Sequence, residues 1–227
     1  MKTKVHQSLK TSSFMVIIVT ALMIQFLGSY HAGSFIIGTY FYALWVLLRI
    51  AIPVGILLIL KVPLSQIGLG LPRFDRKTKT IVIIAVLILL IAFIGIYFLR
   101  GYFSFYSTAF AEQGDGGVAR FANFMIFTGS TLTGWEFLHR GFLLMGISYV
   151  LTERDNVRAE TAVKIAVAVV WIFEVVFHFI KPELEALGLL VGSPMLSWLA
   201  LRTRSIWVPF LIHFLVELLF IIALIMQ

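Results

Sequence analysis

Eight ionisable residues stand inside strongly apolar stretches of this sequence: Arg49, Glu136, His139, Arg140, Glu174, His178, His213 and Glu217. A charge near the centre of a bilayer costs at least about 2.5–3.5 kcal/mol on insertion scales, so such residues persist where they pair or do chemistry. Six of them form three pairs spaced by four: Glu136/Arg140, Glu174/His178 and His213/Glu217. Residues four apart share a helix face. Three helices therefore each present one polar stripe, and a stripe turned to lipid would be costly. The pattern predicts a common buried polar centre. Its chemistry is water activation. A carboxylate kept from bulk water is a competent general base, and a neutral imidazole can share that role or orient the water. A second imidazole with a polar neighbour can stabilise the oxyanion of a tetrahedral intermediate. Together these parts fit hydrolysis of an amide within a membrane. Taken singly, each pair also fits a structural role, such as an ion pair joining two helices. His139 is read as structural. Arg49, four residues before Pro53, is read as snorkelling or as serving carbonyls freed by the proline.

The elements that must carry these residues follow from composition. The chain has 227 residues, 60% hydrophobic and 13% charged, with a mean hydropathy of +1.01. Soluble domains carry about 25% charged residues, so this chain has about half the usual charge. A water-soluble enzyme and a disordered chain are both excluded. The absence of cysteine removes disulfides, thiolate metal sites and a thiol nucleophile. The net charge of +7 lies in short segments between apolar runs, the pattern of a multi-pass membrane protein and not of a nucleic-acid groove.

A span needs about 20 apolar residues. Seven segments qualify: residues 14–30, 35–60, 80–99, 121–151, 161–180, 186–201 and 206–226. The fourth is too long for one straight span, so it is either a kinked helix or two helices with Gly134 as the break, the second of which would make eight. The fold class is thus all-α, a polytopic transmembrane helical bundle in one membrane domain. Residues 1–120 supply N-terminal helices and 121–227 the motif-bearing core. With the N-terminus inside, 13 of the 18 Lys and Arg fall on the inner side. That predicts an integral plasma-membrane protein with a cytoplasmic N-terminus. Lys2, Lys4 and Lys10 precede a retained first helix, not a cleaved signal. The connection from Arg100 to Arg120 is polar and turn-rich, and Trp207 reads as an interfacial anchor.

At the polar residues the sequence resembles the CPBP family, the Abi-type group of CAAX proteases and bacteriocin-processing intramembrane endopeptidases. The family pattern is Glu-Glu-x-x-x-Arg, then Phe-x-x-x-His, then His-x-x-x-Asn. Here the motifs read Trp135-Glu136-Phe137-Leu138-His139-Arg140, Phe173-Glu174-Val175-Val176-Phe177-His178 and His213-Phe214-Leu215-Val216-Glu217. The approach from Leu201 through Pro209 also resembles the family's lead-in to its last motif. The resemblance implies Glu136 as base or base-orienter with Arg140 as its partner. It implies that His178 helps to activate water and that His213 with Glu217 holds the oxyanion. Three positions depart from the pattern. Trp135 replaces the first glutamate, Glu174 stands four before His178 where the family has Phe, and Glu217 replaces Asn. Glu174 is thereby a candidate for the missing carboxylate.

No tightly bound cofactor is expected. The nearest rival is catalytic zinc on His178, His213 and one of Glu136 or Glu174. Others are a non-catalytic relative with an immunity or chaperone role, and a proton-coupled transporter. The expected partners are the lipid bilayer and a membrane-embedded or lipid-anchored peptide or protein substrate, with no nucleic acid. Lys181-Pro182-Glu183 after His178 suggests a broken helix that lowers His178 into the pocket, with Glu183 and Glu185 as further candidates.

Overall fold

In the computed structural model residues 2–31, 39–97, 117–179 and 183–225 are described, and every regular element among them is helical. The helices are α1 (Lys2–His31), α2 (Thr39–Ile59), α3 (Arg76–Tyr97), α4 (Gly117–Glu136), α5 (Ile147–Glu153), α6 (Ala159–His178), α7 (Glu183–Thr203) and α8 (Trp207–Ile225). A 3-10 turn (Leu64–Gln66) follows α2. Within the described residues, each of the seven apolar segments falls on one helical rod. Among the described residues, three stretches are long and apolar enough to cross a membrane: Arg76–Gly95, Ala159–His178 and Ala186–Thr203. On α3, Ile83, Leu87, Ile91 and Ile94 are 52–70% exposed. Water-facing helices do not present such a run, because soluble proteins rarely expose large contiguous apolar patches. The expected polar connection from Arg100 to Arg120 falls mostly outside the described residues, and its last residues begin α4 at Gly117.

The fourth rod departs from the sequence reading. Gly134 is not a break: it lies buried within α4. A glycine lowers helix propensity by only about 1 kcal/mol, and packing can override that. The helix instead widens into a π-helical stretch, Phe137–Gly146, and resumes α winding as α5. All ten π residues are buried. The stretch packs against α1, α2, α6 and α7, so it is the axis of the bundle. Close approach at this axis depends on Gly141. A Cβ there would sit 3.1 Å from the Ile67 carbonyl and 3.1 Å from the Phe137 ring. The core around it includes Ile17, Leu57, Phe142, Ile147 and Val170. A smaller cluster of Leu196, Leu199, Val208 and Ile212 joins α7 to α8. Arg49 is buried on α2, not snorkelling.

At one end of the bundle the segment after α2 is laced along the α7–α8 junction. Ile206 N–H donates to the Gly68 carbonyl (2.9 Å), Arg73 N–H to the Thr203 carbonyl (2.9 Å), and the Ser205 hydroxyl to the Gly70 carbonyl (2.8 Å). Trp207, expected as an interfacial anchor, donates its indole N–H to the Leu69 carbonyl at 3.1 Å. Gly68 has φ +76°, a conformation that favours glycine; a Cβ there would displace the flexible end of the Met145 side chain, whose Sδ lies 2.7 Å away.

Asp75 closes this lacing. It accepts from the Thr78 N–H at 2.7 Å, capping α3, and pairs with Arg202 of α7 at 2.6 Å. Thr78, through its hydroxyl and its N–H, and then Arg202 hold the Asp75 carboxyl below its ordinary value. A lowered folded value means the stabilisation is present above the ordinary carboxylate range and is lost as pH falls through the folded value. Asp75→Ala is therefore expected to lower the thermal midpoint in detergent at pH 7. The gap from wild type should close as the pH is taken below about 4, near the ordinary carboxyl value; an unchanged gap at acid pH would disprove the clasp.

Candidate active site

Glu136 is the last residue of α4, and the π winding that begins beside it sets where its neighbours go. Arg140, four residues on, keeps an ion pair with Glu136 (Nε to Oε2, 3.4 Å). That contact is too long for a good hydrogen bond. Both atoms are buried and neither has another hydrogen-bond partner. The forked end of the guanidinium reaches across to α6 and binds both oxygens of Glu174. Nη2 donates to Oε2 at 2.9 Å and Nη1 to Oε1. Arg140 is fully buried and Glu174 is 1% exposed, so this is a desolvated bidentate pair. The sequence reading paired Arg140 with Glu136; the closer partner is Glu174.

Trp135 donates its indole N–H to Glu174 Oε1 at 2.9 Å. The residue standing at the first glutamate of the motif therefore holds a carboxylate supplied by another helix. The Trp135 ring also lies 4.1 Å from the His139 ring and edge-on to His178 at 5.0 Å, centroid to centroid.

Three imidazoles surround the ion pair, and their partners fix their tautomers. His213 on α8 donates Nδ1–H to Glu136 Oε1 at 2.9 Å. His178, the last residue of α6, donates Nδ1–H to the Glu174 carbonyl at 2.8 Å. His139 donates Nδ1–H to the Trp135 carbonyl at 2.9 Å, and its Nε2 accepts from Gln25 of α1 at 3.1 Å. Glu136, His139 and Arg140 are fully buried, whereas the His213 side chain keeps 17% of its surface exposed. Of the Glu136–His213 pair, His213 is the member with surface open to the outside of the core. Glu217, one turn further along α8, is half-buried and stands outside this hydrogen-bonded set.

The structure thus brings Glu136, Arg140, Glu174, His178 and His213 together around Trp135. His178 reaches the cluster from an unbroken α6; Lys181 and Pro182 lie outside the described residues, and chain description resumes at Glu183. Among the described residues no three His or carboxylate side chains are gathered to hold a metal ion. His139, read as structural, is bonded to α1 through Gln25; sequence reasoning missed Trp135 as a donor and Gln25. The signal for Gln25 was present: it is the one amide within an otherwise apolar segment.

Fold and site together define a helical membrane protein with a buried Glu/His/Arg centre. Residues 120–219 match the family model described as type II CAAX prenyl endopeptidase Rce1-like. The family met there is the one the motifs resemble, and the match covers all three of them. The matched segment covers less than half of the chain. No curated protein and no solved structure matches the chain. Helices α1 to α3 lie outside the matched segment, yet α1 contributes Gln25 to its interior.

Removing one partner of a desolvated pair strands a charge, at a cost of about 3–5 kcal/mol. Arg140→Gln should therefore destabilise the purified protein by about that amount, read by chemical unfolding in detergent. Replacing both partners, as Arg140→Met with Glu174→Leu, should recover much of the loss. A single variant as stable as wild type would show that the pair does not hold the core.

Proposed function

We propose that this protein is an intramembrane endopeptidase that hydrolyses a peptide bond near the C-terminus of a prenylated, membrane-anchored protein. The observation that carries this reading is the Nδ1–H of His213 donated to buried Glu136 at 2.9 Å, inside the segment that matches the CAAX endopeptidase family. With Nδ1 protonated, the lone pair of His213 lies on Nε2. Nε2 removes a proton from water as the oxygen attacks the scissile carbonyl. The imidazolium then returns that proton to the departing amide nitrogen as the C–N bond breaks, leaving a carboxylate and an amine. Glu136 fixes the tautomer and stabilises the imidazolium, the role a buried carboxylate plays beside a catalytic imidazole.

In this scheme Arg140, Glu174 and Trp135 hold the dyad in register. His178 supports Trp135 and Glu174 from the end of α6, in place of the water-activating role expected from the motif. Glu217 flanks the approach to His213 and serves the oxyanion only when protonated, since an ionised carboxylate has no proton to donate. The seven-span topology, with the N-terminus cytoplasmic, belongs to the same proposal. The lining up of seven rods with seven apolar segments supports it.

The test is cleavage of a farnesylated C-terminal peptide by the full chain in nanodiscs, followed by mass spectrometry. General acid–base groups contribute about 10²–10⁴-fold to rate. His213→Gln and Glu136→Gln should each lower kcat by at least about 10²-fold, with His213→Gln keeping a near-native melting temperature. His178→Phe should cost less than either. Wild-type turnover in both dyad variants, no cleavage by folded wild type, or activity abolished by a chelator would each overturn the reading.

A further inference from the structure

The segment between α2 and α3 has a composition that neither the core nor the candidate site uses. Residues 61–79 hold Lys61, Arg73, Arg76, Lys77 and Lys79, and Arg204 stands across the laced junction; all six are exposed. The segment's one carboxylate, Asp75, is committed to Arg202 and the α3 N-terminus. The positive charge of the surface is therefore not offset from within the segment. Interleaved with these cations are apolar side chains turned outward. Leu71 is 88% exposed, with Leu64, Leu69 and Phe74 also exposed. Leu71, two residues before Arg73, is the most exposed large apolar side chain among the described residues. The backbone beneath is held by the Gly68, Gly70 and Thr203 carbonyl bonds, so the apolar residues project from a fixed ledge.

Two of the cations also occupy conformations that glycine would fill with less strain. Lys61 (φ 52°) and Arg204 (φ 51°) are in the left-handed region just past the ends of α2 and α7, where helices commonly place glycine. Both positions carry a charge in spite of the backbone.

We infer that this ledge docks on the headgroup layer of an anionic phospholipid leaflet, with Leu71 and Phe74 entering the acyl boundary and Arg73, Arg76, Lys77 and Arg204 meeting lipid phosphates. Exposed apolar and basic side chains brought together in one short segment are the combination that interfacial segments use. The positive field selects anionic over zwitterionic lipid. The ledge then fixes the depth of the start of α8, on which His213 lies two turns in. The inference stands independently of the proposed proteolysis.

Because the chain has no cysteine, Leu71→Cys supplies a single labelling site. The full-length variant, carrying an environment-sensitive fluorophore there, is placed in nanodiscs of phosphatidylcholine with a minor fraction of phosphatidylglycerol. Quenching is compared between nitroxide-labelled phosphatidylglycerol, nitroxide-labelled phosphatidylcholine and aqueous iodide. One basic residue near an anionic surface corresponds to about a five-fold preference. Phosphatidylglycerol should therefore quench with at least about a five-fold higher apparent association than phosphatidylcholine, and iodide should quench little. Arg73→Gln with Arg76→Gln, Lys77→Gln and Arg204→Gln should bring the two lipids to parity. Should that variant misfold, raising NaCl with the unsubstituted ledge must shrink the preference instead. Equal quenching by both lipids, or efficient quenching by iodide, overturns the inference; the latter would mark a water-facing surface for an acidic protein. Displacement by inorganic phosphate beyond that of NaCl at equal ionic strength would make it a free-phosphate site, and would overturn the lipid assignment.

Discussion

A guanidinium and a carboxylate that face each other with almost no access to water constrain everything around them. Arg140 and Glu174 sit on different rods, the π stretch and α6, so their bidentate contact sets the distance and rotation between the two. Desolvation makes any loosening expensive, because each charge would remain buried without its partner. The remaining polar atoms of the centre are arranged around this contact. Trp135 completes the coordination of Glu174, and Glu136 takes the flank of Arg140 that the fork leaves over. Only then does Glu136 have one oxygen to offer His213.

The same constraint explains why the centre is built from four rods and not three. His139 is turned by the π winding towards α1, where Gln25 meets it. The first helix is therefore joined to the interior of a core whose family match begins roughly a hundred residues later. Polar contacts of this kind have few alternative partners inside an apolar bundle, which makes them specific even when each is weak.

Much of this was legible in the residues. Hydropathy alone located every rod to within a few residues for the five after α2, because a run of about 20 apolar residues matches the thickness of a bilayer and must satisfy its own backbone there as a helix. The four-residue spacing of Glu136/Arg140 and Glu174/His178 marked the polar centre, and the departure at Trp135 pointed to Glu174 as a replacement carboxylate. What the sequence did not reveal is which carboxylate Arg140 prefers, since that depends on the distance between two rods. Nor did it reveal the π winding. An α-helix and a π-helix draw on the same residue types, and Gly134, the residue that looked like a break, is simply packed. Glu217 was drawn in by its motif position, but its place on α8 leaves it beside the hydrogen-bonded set and not within it.

The ten-residue π stretch also determines where this chain can change length. Winding with an i→i+5 bond pattern accommodates more residues per turn than the α form, and here each of those residues is enclosed by neighbouring helices. A one-residue insertion or deletion between Phe137 and Gly146 would turn Arg140 or the whole of α5 away from its contacts, with no loop to absorb the change. The connections at the ends of the rods can absorb a change of length at far lower cost than the stretch from Glu136 to Ile147.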